Sequence, residues 1–193
     1  MYPEVSAYGA VIADWDGTLV DSQPLNFKCL AAALEPHGVV LRQDWYRQRL
    51  GVSGEDLLRE LDVRADARMI LEDCGELIMR DVASLRTYPL IVGWIERARE
   101  AGLRCAVASG GGGSVVRAGL AATGLVGLFD VVVTREDAPR GKPAPDLFLE
   151  AARRLAIPPI RCLVIEDADE GIDAARAAGM DVVDVRPFVE SSW

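Results

Sequence analysis

The stretch "VIADWDGTLVDS" ends an apolar run on two carboxylates, Asp14 and Asp16, placed two residues apart. Carboxylates that close repel each other and lose hydration, so in a confined site they cannot all stay ionised without a cation. A second acidic pair, Glu166 and Asp167, ends the apolar run "LVIED". Ser109 ends "CAVAS", and Lys142 lies in "RGKPAPD", shortly after "DVVVT". Four separate segments therefore finish on groups that can bind a metal, bind an anion or move a proton. Asp14 and Asp16 with Asp167 make a hard-oxygen site of the kind Mg2+ prefers. Taken alone, Asp14 and Asp16 have a blander alternative, a polar turn at a strand end.

Gly110 to Gly113 follow Ser109 directly. Glycines let backbone amides approach a phosphate closely, although a merely flexible loop has the same composition. They do not fit a dinucleotide fingerprint, because its third glycine would fall on Val115 or Val116. Ser109 reads either as the N-cap of the following helix or as an anion contact, and a helix N-terminus serves both ends. Lys142 precedes Pro143, and Pro145 follows two residues on. Proline restricts the residue before it to extended geometry, so the ammonium is pre-positioned as a phosphate ligand should be. Pro145 suits the first turn of the next helix.

These groups need a frame. "GAVIADW" reads as a buried strand. From Tyr88-Pro89 onward the chain alternates. "LRCAVAS", "FDVVVT", "RCLVIED" and "MDVVDV" are strands, and helices of about ten residues lie between them. That order predicts an α/β fold with a Rossmann-like three-layer core, a parallel sheet covered on both faces. In such sheets ligands bind at the carboxyl ends of the strands, which is where the acidic pairs and Ser109 fall. Between Pro24 and Leu85 no strand is evident. "PLNFKCLAAALEPHG" is helical with a stop at Pro36 to Gly38, and Ser53 with Asp56 forms a capping-box pattern. Ile70, Cys74, Leu77 and Ile78 share one helical face. An all-helical cap, residues 22–85, thus interrupts a core of residues 1–21 and 86–193. Arg47 and Arg49, near the cap loop, are candidate substrate contacts; a solvated basic face is the alternative.

Composition narrows the chemistry further. The chain has 193 residues, 50% hydrophobic and 26% charged, with net charge −9. That balance argues against nucleic-acid binding, and no apolar run approaches the roughly 20 residues of a membrane helix. The first residues lack the pattern of a signal peptide, so a cytoplasmic location is expected. Cys29, Cys74, Cys105 and Cys162 form no C-x-x-C pair, which argues for buried thiols and against a zinc site. His37 is the only histidine and sits in a turn-like "EPHG". Mechanisms built on a Ser-His-Asp or Cys-His set would have to use it, which leaves carboxylates, lysine, hydroxyls and amides to do the work. Whether the chain is a monomer or a homodimer stays open.

"DWDGTLVDS", "VASG", "RGKPAPDLF" and "VIEDADEGIDAARAAGM" resemble, in order, the four motifs of the haloacid dehalogenase superfamily. The likeness is to its phosphatase and β-phosphoglucomutase-like branch, whose helical cap follows the first motif. The resemblance implies a Mg2+-dependent phosphatase of a small phosphorylated metabolite. Asp14 would be the nucleophile and Asp16 the general acid and base. Ser109, Gly110 and Lys142 would hold the phosphoryl oxygens. Mg2+ would bind the Asp14 carboxylate, the Asp16 carbonyl and Asp167, with Glu166 a ligand or a neighbouring acid. In the mutases the cap positions that fall here on Leu50 and Gly54 are basic, and a histidine stands at Asn26. Those departures favour hydrolysis over transfer within one sugar. A phospho-acceptor receiver or a non-catalytic relative are the remaining alternatives.

Overall fold

The computed structural model describes residues 5–189. The outermost residues of the two core segments, and part of the start read as lacking a signal segment, lie outside the described residues.

Five strands, β1 (Ala10–Ala13), β2 (Arg104–Ala108), β3 (Val131–Val133), β4 (Cys162–Glu166) and β5 (Asp181–Asp184), form one parallel sheet in the order β3-β2-β1-β4-β5. The central strand β1 reads "AVIA" and is buried throughout, as expected for a parallel strand covered on both faces. Alternate residues supply the two faces. Val11 and Ala13 join one apolar cluster; Ala10 and Ile12 join the other.

Two helices cover each face. On the first, α5 (Pro89–Glu100) buries Ile91, Trp94, Ile95 and Ala98, the spacing of one helical stripe, and α6 (Gly113–Ala122) adds Val116 and Leu120. On the second, α7 (Asp146–Leu155) buries Leu147, Phe148, Ala151 and Leu155, and α8 (Asp169–Ala177) adds Ala174 and Ala175. A buried Phe or Leu contributes roughly 1.5–3 kcal/mol, so these stripes hold the layers together. Ala13 of β1 lies level with Val107 of β2 and Ile165 of β4. The residues just beyond all three strands therefore emerge along one edge.

Between β1 and α5 the chain is helical: α1 (Gln23–Leu34), α2 (Gln43–Arg47), α3 (Gly54–Glu60) and α4 (Ala67–Asp81). This insertion has an apolar cluster of its own, in which Cys29, Leu30 and Leu34 of α1 meet Ile70, Cys74 and Ile78 of α4 and Leu57 and Leu58 of α3. Leu77 is partly buried at its margin. The ends of the insertion leave the core side by side. Asp21 N donates to Arg86 O at 2.8 Å, and Val20 bridges Thr87. All four cysteines are buried and free, and His37 is exposed. Among the described residues no helix is long and apolar enough to cross a membrane.

Three local expectations differ in detail. Ser53 Oγ accepts from Asp56 N, as a capping box requires, but the Asp56 carboxylate accepts from Ser53 Oγ at 2.7 Å rather than from the Ser53 amide. Pro145 occupies the N-cap of α7 instead of its first turn. Ser109 is no N-cap, because α6 starts four residues later behind Gly112.

Candidate active site

Asp14 follows β1 immediately. Its amide donates to Ile165 O at 3.0 Å, which fixes it beside β4, and it is 5% exposed. Lys142 Nζ donates to Asp14 Oδ1 at 2.5 Å and to Glu166 Oε2 at 2.7 Å. Glu166, the last residue of β4, also accepts through Oε1 from the amides of Asp167 and Ala168. Both oxygens of that carboxylate are thus hydrogen-bonded, one of them to the lysine. The Lys142–Pro143 peptide is cis, and Lys142 Nζ lies 5.0 Å from the ring centre of Phe148.

Asp167 Oδ1 accepts from Thr18 Oγ1 at 2.7 Å. The turn after Asp16 makes room for it. Gly17 has φ +87°, and a Cβ there would lie 2.2 Å from Asp167 Oδ2. Both the backbone region and the space demand glycine. Trp15, between the two aspartates, is buried in the core and anchors the turn.

Asp16 points elsewhere. Its Oδ1 accepts from Ser22 Oγ at 2.6 Å and from Asn26 Nδ2 at 2.9 Å, and its Oδ2 accepts from Ser109 Oγ at 3.5 Å. Ser109 in turn accepts from Gly111 N at 2.9 Å and is 1% exposed. Gly110 is exposed beside it. The N-terminus of α6 is already filled, because both Glu136 oxygens accept from Gly113 N at 3.1 Å.

Electrostatics follow from this crowding. Burial, then the charge of Glu166, holds Asp14 well above the usual carboxylate range despite Lys142. The same two causes push Asp167 up to about 7. Burial works against the Lys142 charge, but Asp14 and Glu166 outweigh it and its pKa is raised. One ammonium thus serves a group of three carboxylates. Asp14, Glu166 and Asp167 each offer an oxygen, all within 4.8 Å of one another. A buried, all-oxygen set short of positive charge fits Mg2+. The Asp16 carboxylate is outside that group.

The insertion closes over the Lys142 side. A cleft of about 260 Å3 has Val52, Ser53, Asp56, Arg59 and Glu60 as its cap wall. Lys142, Pro143 and Glu170 form its core wall. The cap loop rests on the start of α8: Gly51 has φ +91°, and a Cβ there would lie 2.6 Å from Ala168 Cβ and 2.9 Å from Glu170 Oε2. An ion pair between Glu55 of the cap and Arg135 of the core adds a second link.

The two cap residues that stand out in the sequence, Arg47 and Arg49, lie elsewhere. Arg47 is exposed and lines a separate depression with Val40, Arg42 and Gln48. Arg49 stacks 4.0 Å from the Trp45 ring centre and donates to Glu60 Oε2 at 2.6 Å. Neither lines the cleft; Arg59 does. The missed signal was the spacing of Asp56, Arg59 and Glu60, which puts all three on one face of a short helix.

A family model described as haloacid dehalogenase-like hydrolase matches residues 11–185. The fructose-1-phosphate phosphatase YqaB of Escherichia coli (strain K12) is 35% identical over 190 residues, covering 93% of this chain and 97% of that one. The phosphorylated carbohydrates phosphatase of Thermotoga maritima is 27% identical over 177 residues, covering 89% and 82%. Among solved structures, CbbY from Rhodobacter sphaeroides in complex with phosphate superposes with a TM-score of 0.83 at 25% identity, covering 96% of this chain and 91% of that one.

Proposed function

The chain belongs to the haloacid dehalogenase-like hydrolases as a phosphoric monoester hydrolase, and we propose that it is a Mg2+-dependent phosphatase of a small phosphorylated sugar that works through an aspartyl-phosphate on Asp14. The observation that carries this reading is the placement of Asp14 and Asp16. Asp14 is buried against Lys142 and two further acids, while the Asp16 carboxylate is turned to hydroxyl and amide donors.

In this reading the Asp14 carboxylate attacks phosphorus, and Asp16 gives a proton to the departing sugar oxygen. Asp16 then takes a proton from water, which attacks the aspartyl-phosphate and frees inorganic phosphate. A carboxylate nucleophile divides one difficult step into two easier ones. Lys142, Ser109 and the Gly110 amide hold the phosphoryl oxygens. Glu166 keeps Lys142 in place and charged. Asp14, Asp167 and the Asp16 carbonyl would hold Mg2+, which offsets the charge that opposes attack of a carboxylate on a phosphate. Residues 22–85 act as the cap that excludes water and selects the leaving group.

The names of the two phosphatase relatives support a sugar phosphate as substrate. Leu50 and Gly54 offer no cation for a second phosphate, so hydrolysis is favoured over mutase chemistry. The test is inorganic phosphate released over many turnovers from a panel of sugar monophosphates, with Mg2+ and with a chelator. Release that stops with the chelator and returns with Mg2+ is expected; full turnover without metal would overturn the reading.

A further inference from the structure

The cleft beside Lys142 carries three carboxylates, Asp56, Glu60 and Glu170, against two cations, Arg59 and Lys142. Most of these charges are already committed. Lys142 is held by Asp14 and Glu166, Arg59 pairs with Asp56, and Glu60 accepts from Arg49 at 2.6 Å. Glu170 is different. It is half-buried in the first turn of α8, and its carboxylate has no hydrogen-bond or ion-pair partner among the described residues. It faces the cap loop at Gly51 and shares the core wall of the cleft with Lys142, which contacts Asp14.

We propose that Glu170 is a specificity-determining residue, which accepts hydrogen bonds from hydroxyls of the leaving group and selects an uncharged polyhydroxyl over one bearing a second anion. This rests on the phosphatase reading and names what lies beyond the scissile bond. An ionised carboxylate only accepts hydrogen bonds, so it rewards hydroxyls and repels a phosphate or carboxylate at the same place. The opposite wall has the same character, because the Asp56–Arg59 and Glu60–Arg49 pairs present paired charges and no spare cation. The cleft, at about 260 Å3, lies just below the ~300–1,000 Å3 of drug-sized pockets, which suits a single small metabolite.

The experiment compares kcat/KM for three substrates: a hexose monophosphate, the corresponding bisphosphate, and acetyl phosphate, whose leaving group has no hydroxyls. The wild-type chain should prefer monophosphate over bisphosphate by about tenfold or more, the size of one hydrogen bond to a charged group. Glu170→Ala should lower the hexose-to-acetyl ratio about tenfold. Glu170→Lys should shrink or invert the preference for monophosphate over bisphosphate, and Glu60→Gln gives the same comparison from the cap wall. Ratios that neither Glu170 variant moves, or a wild-type chain that hydrolyses the bisphosphate as well as the monophosphate, would overturn the role of Glu170. No phosphate from acetyl phosphate or any ester would instead bring down the phosphatase reading itself.

Discussion

At the scale of single residues, the acidic group is an arrangement waiting for positive charge. Asp14 and Asp167 have raised pKa values in the folded chain, Asp167 at about 7. The metal-free fold therefore holds protons that the unfolded chain has already released. The stability these two groups contribute is fully present below the ordinary carboxylate range and is lost as pH rises through about 7. The melting temperature of the chelated protein should fall between pH 5 and pH 8, and Mg2+ should restore it at pH 8. A flat profile in chelator would contradict the strained acidic group. Asp14→Asn should abolish the phosphoenzyme. Asp16→Asn keeps the nucleophile and should slow turnover about 10²–10⁴-fold, the usual worth of general acid–base catalysis. Near-normal turnover of Asp14→Asn would reverse these roles. The acids, Ser109 and Lys142 were legible in sequence because each ends an apolar run or lies in a proline-stiffened turn. Arg59 and Glu170 were not, since a charged residue on a helix surface looks alike whether it faces a cleft or solvent.

Elements were easier to read than their contacts. Apolar runs marked the strands, and the shared helical face of Ile70, Cys74, Leu77 and Ile78 marked α4, because burial on one side leaves a pattern in the chain. What the sequence could not display is where the cap lands on the core. That depends on Gly51, Ala168, Glu55 and Arg135, residues far apart in the chain that meet only in the folded molecule. Nothing in the sequence distinguishes Gly51, although it has a positive φ and no room for a side chain. Gly51→Ala should push the cap loop off α8. We expect kcat/KM for sugar phosphates to fall by up to about 10²-fold, as for a small misplacement of a substrate-positioning element, with little change in far-UV circular dichroism. An unaltered kcat/KM would mean that the loop does not seat on α8 during turnover. The Glu55–Arg135 pair is half-exposed, and such pairs contribute about 0–1 kcal/mol, so it trims the cap position more than it secures it.

Across the whole molecule, three apolar clusters divide the labour, two flanking the sheet and one inside the insertion. The sheet and its four helices hold the acids, Ser109 and Lys142, whereas the insertion has its own cluster and contributes the cleft wall. Excising residues 22–85 and closing the gap with a short glycine-serine linker should leave a chain with parallel-sheet circular dichroism that has lost its preference among sugar phosphates. A chain that aggregates would show that the core needs the insertion to fold. The expectation rests on the narrow stem, where Asp21 and Arg86 stand one backbone hydrogen bond apart at 2.8 Å. In evolutionary terms that stem is a splice point. A helical segment whose ends can be brought this close, and whose surface fits α6 and the start of α8, can be grafted there without altering a sheet residue. Such a cassette would change what reaches the sheet edge while the acids, Ser109 and Lys142 keep their places.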